Sequence, residues 1–176
     1  MTQTDVVPGF DELLDGARVS ALHLEMRDAY GVPAESPGFA EWLATGEREM
    51  GPESEYWRFW VELVRRTVAR GVVVRRARIV SEPLSDYARY GLAGAAVNDL
   101  AGEEIRYLPR RQASDIALPG NDFWLIDGRL IRWNHFSGNG APTGGEMSDD
   151  PTTAALCASA FTAVWERATP LADYKP

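Results

Sequence analysis

Hydrophobic and polar positions alternate over Ser20–Tyr30, with Leu22, Leu24 and Met26 on one side and His23, Glu25 and Arg27 on the other. A period of two predicts a half-buried strand with its polar side toward water. The period changes at Ser54–Arg70, where Trp57, Trp60, Val61, Val64 and Val68 form one stripe at helical spacing. Ser54 suits the N-cap, and Gly71 suits the left-handed position past the end. Residues 72–81 are β-branched and predict a strand, ended by Glu82-Pro83. Residues 84–102 predict a second helix, weakened by Gly91 and Gly94, and residues 104–108 a second strand, stopped by Pro109. Helix, strand, helix, strand predicts parallel neighbours joined by right-handed crossovers.

The flanks are simpler. Residues 1–9 predict a loose arm, Phe10–Gly16 a short helix, residues 31–38 a loop, and residues 39–45 one or two helical turns. Residues 110–119 predict a loop. Residues 120–126 and 129–136 predict a hairpin, with Asp127-Gly128 as its tight turn. Residues 137–148 hold Gly138, Gly140, Gly144 and Gly145 and predict a loop. The last helix starts at Asp149 or Asp150 with Pro151 near its first turn, and buries Cys157, Phe161, Val164, Trp165 and Ala168. The expectation is one α/β domain with a mixed, mostly parallel sheet flanked by helices. An N-terminal segment over residues 1–50 precedes a core over residues 54–170.

Composition adds limits. With 176 residues the chain is long enough for one domain. One cysteine, Cys157, excludes an internal disulfide and a cysteine-cluster metal site. No metal and no cofactor is expected. No apolar run reaches membrane-spanning length, and Met1–Gly9 lacks the blocks of a signal peptide, so a cytoplasmic protein is expected. The net charge of −8 is uneven: residues 1–64 carry 13 acids against 4 bases, and residues 65–111 carry 10 bases against 5 acids. That balance argues against general nucleic-acid binding and leaves room for one arginine patch.

The order of elements, with Ala69-Arg70-Gly71 leading into Val72-Val73-Val74-Arg75, then Gly102–Leu108, Phe123–Arg129 and a closing helix with Phe161–Trp165, resembles one half of the phospholipase D-like fold. The resemblance covers roughly residues 54–168. That superfamily works through a His-x-Lys-x4-Asp motif, whose histidine attacks phosphorus and whose lysine steadies phosphate charge. Setting Asp127 on the family's aspartate puts Gly120 at the histidine position and Asp122 at the lysine position. Glycine has no nucleophile, and aspartate repels phosphate. The resemblance therefore implies the fold without its chemistry; by analogy with paired halves, it also suggests a homodimer. The phrases Ser20–Arg27, Ser81–Tyr87 and Leu118–Trp124 are similar to an actinobacterial family of streptomycete type, often encoded beside helix-turn-helix regulators. This implies a non-catalytic regulatory protein that binds a protein partner, such as a DNA-binding regulator, through its acidic N-terminal third.

Two alternatives stay open. A phosphodiester- or nucleotide-directed hydrolase could use His135 as base or nucleophile, oriented by Asp127 or Asp122. These two carboxylates are five apart on a strand, which points them to opposite faces. An anion or nucleotide sensor could use Arg76, Arg78, Arg110, Arg111 and Asn134, converging at the carboxyl ends of the strands. Against this, the arginines could simply pair with Glu82, Asp86 or Asp115, His135 could tie down its loop, and His23 could be a surface or structural histidine. Trp124 and Trp133 could offer a stacking surface or pack in the core.

Overall fold

A computed structural model describes residues 7–32 and 35–176. The arm expected over residues 1–9 falls mostly outside the described residues. The helices are α1 (Phe10–Gly16), α2 (Ser36–Thr45), α3 (Arg58–Ala69), α4 (Asp86–Ala101) and α5 (Pro151–Arg167). The strands are β1 (Ser20–Glu25), β2 (Val73–Val80), β3 (Glu104–Pro109), β4 (Asp122–Ile126), β5 (Leu130–Phe136), β6 (Pro142–Ser148) and β7 (Thr169–Pro170). They form one sheet in the order β6-β5-β4-β1-β2-β3-β7.

The mixed sheet with flanking helices is the expected architecture. Its parallel part is confined to β1, β2 and β3, and the other ladders are antiparallel. The reason is local. The strands before residue 110 are joined by helices that carry the chain back to the same end of the sheet, whereas β4, β5 and β6 follow one another through turns too short for a crossover. β6 itself corrects an expectation, since it occupies the segment expected as loop. Its glycines and Pro142 weaken the strand signal, but it lies at the sheet edge, where a strand with few side chains is tolerated. Part of the loop expected after Pro109 forms a 3-10 turn, Arg110–Ala113.

Helix ends follow side-chain chemistry. Ser54 does not start α3, but its Oγ accepts the Trp57 N–H at 3.3 Å in the turn that leads in. Ser85 and Asp150 cap α4 and α5 by accepting the N–H groups of Ala88 and Thr153. The β4–β5 turn puts both Asp127 (φ 53°) and Gly128 (φ 69°) in the left-handed region, as a two-residue hairpin requires.

The two faces of the sheet differ. One is apolar: Leu24, Ala77, Ile79, Leu108, Phe123, Leu125 and Ile131 pack against Cys157, Phe161 and Val164 of α5. The other face is covered in patches. Leu13 and Leu14 of α1 and Leu63 of α3 meet Ala21, Trp124 and Ile126 at one end. Residues of α4 meet Ile105 and Tyr107 at the other. Between these patches the sheet presents polar side chains, and α1, α3 and α4 do not close over them.

Candidate functional site

A cleft of about 730 Å³ opens on that second face. Its floor is set by register. Arg76 pairs with His23, His23 with Trp124, and Trp124 with Arg132, so four side chains form a row across β2, β1, β4 and β5. Nearer the carboxyl end of β1, Arg78 pairs with Glu25, and Asp122 with Asn134. Alternation on each strand puts both rows on the same face. The walls are aromatic: Phe10 and Trp60 stand at one end, and Tyr30, Tyr87 and Tyr90 at the other.

Charges on the floor are mostly matched. Arg76 donates to Glu103 Oε1 at 2.7 Å and to Glu25 Oε1 at 2.8 Å, and Arg78 Nε lies 2.5 Å from Glu25 Oε2. Burial opposes the Glu25 charge, but Arg78 and Arg76 outweigh it and hold the carboxyl down to about 2. His23 is 7% exposed and stacks on Trp124 at 4.3 Å between ring centroids. Burial lowers its pKa to about 3, against the pull of Glu25, so the ring is neutral at pH 7. Asp122 accepts from the Met26 N–H at 2.9 Å and from the Tyr30 hydroxyl. Burial raises its carboxyl to about 6.

Arg132 is different. It has no carboxylate within ion-pair distance among the described residues. Its Nη1 donates to Asn134 Oδ1 at 2.6 Å, and its guanidinium lies 4.0 Å from the centre of the Phe10 ring. Desolvation lowers its pKa with no acid beside it to offset the effect. Arg48, at the far end, donates to the Tyr90 carbonyl and lies over the Tyr90 ring at 3.6 Å. Several polar atoms lining the cleft have no hydrogen-bond partner among the described residues: the indole N–H groups of Trp60 and Trp124, Arg132 Nε and Asn98 Oδ1.

The structure brings together Arg76, Arg78, Asn134 and Asp122 of the expected site residues. It separates the others. Arg110 lies over the carboxyl ends of β1 and β2, where it donates to the Met26 carbonyl at 2.6 Å and to Ser81 Oγ at 3.0 Å. Arg111 is exposed on the 3-10 turn. The expected convergence of all four arginines therefore does not occur, because Arg76 and Arg78 point into the cleft from mid-strand. Their acids also differ from those expected: Glu25 and Glu103, with Asp28 beside Arg110, take the places of Glu82, Asp86 and Asp115. His135 is at the cleft rim, yet it shares strand parity with Ile131 and Trp133, which face the α5 side. Its Nε2 lies 3.9 Å from Glu146 Oε2, and neither Asp122 nor Asp127 orients it. Asp127 is taken up by backbone, accepting from the N–H groups of Arg18, Val19 and Ser20 at 2.7 to 3.1 Å. Gly120 precedes β4 in open space. Trp124 is buried in the floor, and Trp133 packs on the opposite face, so they share no stacking surface. Among the described residues no three His, Cys, Asp or Glu side chains form a metal set.

Sequence reasoning missed His23, Glu25, Arg132 and Trp60 as cleft residues. One signal was present. Glu25 follows His23 by two positions, and Arg78 follows Arg76 by two, on strands expected to run parallel. Opposite charges at matched period suggest cross-strand pairing.

Residues 8–176 match the family described as Domain of unknown function (DUF6879). No curated protein matches the sequence. Among solved structures, Nuc from Salmonella typhimurium, a phospholipase D family member, is 12% identical with a TM-score of 0.53, over 94% of this chain and 88% of that one. NucT from Helicobacter pylori is 12% identical with a TM-score of 0.51, over 91% and 87%. At such identities the shared property is the fold, which is phospholipase D-like.

Proposed function

The chain belongs to the family described as Domain of unknown function (DUF6879), and we propose that it is a binding domain on a phospholipase D-like frame, holding a small ligand in its cleft without hydrolysing phosphodiesters. The observation that carries this reading is the set of unmatched polar atoms in the cleft. Buried donors without partners cost free energy, roughly 1–3 kcal/mol each, unless a ligand or water satisfies them. The lack of turnover is supported by four placements. Gly120 offers no nucleophile, Asp122 puts a carboxylate where a cation would be needed, Asp127 is tied to backbone, and His135 is oriented by neither of these aspartates, its nearest acid being the exposed Glu146, 3.9 Å away and beyond hydrogen-bond distance. Assays with nucleotide and phosphodiester substrates should show no hydrolysis. Turnover that disappears in a folded His135→Ala variant would refute the reading.

A specific observation favours a second role alongside the first. Leu43 of α2, Met50 and Tyr56 of the connection and Phe59 of α3 are exposed, on a segment that also carries Glu41, Glu47, Glu49, Glu53, Glu55 and Glu62. Apolar side chains set among six acids against two bases, Arg48 and Arg58, suit a basic protein partner, such as a DNA-binding regulator. Gel filtration of the chain with a co-encoded regulator at low and high salt tests this. Independent elution under both conditions would exclude it.

A further inference from the structure

We propose that the cleft takes a planar aromatic carboxylate, with its carboxylate on Arg132 and its ring against the wall formed by Phe10 and Trp60. This rests on the cleft being a ligand site and goes on to assign the chemistry of the ligand.

Charge decides the acidic group. Arg76 and Arg78 are neutralised by Glu25 and Glu103. Arg48 sits against the Tyr90 carbonyl and ring, far along the cleft. At the end lined by Phe10 and Trp60, Arg132 is the one cation with no acid at ion-pair distance among the described residues, so the local excess is a single positive charge. A monoanion matches that excess, and a phosphate dianion overshoots it. A guanidinium fork also fits a carboxylate in two parallel hydrogen bonds. Arg132 is partly set for this, since its Nη1 is held by Asn134 at 2.6 Å while its Nε is unpartnered.

Walls and donors decide the body. Trp60 and Trp124 lie 6.0 Å apart between centroids, and Phe10 is 6.2 and 6.1 Å from them. The three rings meet at steep angles; Trp124 is buried against His23, while Phe10 and Trp60 are only partly buried and line the cleft, so a ligand ring would lie against those two. The indole N–H of Trp124, a side chain only 1% exposed, has no partner, and neither has that of Trp60. Both ask for an acceptor, which a carboxylate oxygen or ring heteroatom supplies. The volume of about 730 Å³ lies within the range of roughly 300–1,000 Å³ usual for small-molecule sites.

The test uses thermal shift and calorimetry on the full chain with three probes: naphthoate, its uncharged amide, and adenosine monophosphate. Naphthoate should raise the melting temperature and the amide should not. Arg132→Gln should weaken naphthoate binding by about tenfold or more, and Arg132→Lys, which keeps charge without the fork, should recover only part of it. Trp124→Phe keeps a ring and removes the orphan N–H, so a loss of about fivefold is expected there, equivalent to one neutral hydrogen bond. Circular dichroism establishes that each variant is folded. Equal binding of naphthoate and its amide, or undiminished naphthoate binding in folded Arg132→Gln, overturns the assignment. Binding of adenosine monophosphate in place of naphthoate overturns the carboxylate while leaving the cleft as a ligand site. No shift with any probe counts against both.

Discussion

His23 and Asp122 sit on the same floor and are set in opposite directions by the same cause. Burial disfavours charge, so the histidine stays neutral down to about 3 and the aspartic acid keeps its proton up to about 6. In the unfolded chain His23 takes up a proton near its ordinary value of 6.5, well before the folded chain does. The unfolded state then binds more protons, and stability falls as the pH drops from about 6.5 toward 3. For Asp122 the folded state binds more protons between about 3.8 and 6. Its contribution therefore falls as the pH rises through that window. Over their whole windows the His23 effect is the larger, at most about 5 kcal/mol, and the Asp122 effect about 3 kcal/mol. Glu25, held down to about 2, adds an acid-side loss below about 4.5 that both variants keep. Urea denaturation from pH 4 to 8 should show His23→Gln losing less stability on acidification than the parent. Asp122→Asn should show the reverse tilt. Curves that run parallel to the parent's would contradict the burial of these two groups.

Elements show which parts of the sequence were readable. Alternation on β1 correctly separated Leu22, Leu24 and Met26 from His23, Glu25 and Arg27, but alternation does not tell whether the polar side is wet. The acids and arginines that neutralise one another on this face are about fifty residues apart, Glu25 with Arg76 and Arg78, so no local window holds both. Helix α4 carries a second lesson. Gly91 and Gly94 read as flaws in a helix, yet a Cβ on Gly91 would lie 2.4 Å from Arg78 Nη1, and one on Gly94 2.3 Å from the Arg48 guanidinium carbon. These glycines make room for two cleft arginines. Alanine at position 91 should gain up to about 1 kcal/mol of helix propensity. Arg78 is pinned to Glu25 and cannot swing aside freely, so crowding should cost about 1–3 kcal/mol. Gly91→Ala is expected to lower the melting temperature. A higher melting temperature would mean that Arg78 has space the packing does not suggest.

The whole molecule was legible as a class and less so as a topology. Periodicity, caps and the Asp127-Gly128 turn were enough to order the helices and most strands, and element order pointed to the phospholipase D-like fold that the solved structures share. What escaped was β6, whose glycines hide a strand, and the cleft, which exists only once β2, β1, β4 and β5 are side by side. The motif comparison drew attention to Gly120, Asp122 and Asp127. Of these only Asp122 lines the cleft, and the unmatched atoms sit on residues chosen by packing: Trp60, Trp124 and Arg132. No helix among the described residues is long and apolar enough to cross a membrane.

The clasp of Asp127 on Arg18, Val19 and Ser20 joins parts of the chain more than a hundred residues apart. It anchors β1, the strand at the centre of the sheet, to the last turn before β5. During synthesis β1 thus waits, with one edge open, until β4 and its turn have left the ribosome. The long sequence separation of this contact predicts that the N-terminal half does not settle first and that closure of this loop slows folding. A fragment ending at Pro119 retains α1 to α4 and three strands, yet it should show no cooperative unfolding and rapid digestion by protease. Adding residues 120–136 should restore neither α5 nor its core, but should give β1 its second neighbour and slow cleavage between residues 17 and 27.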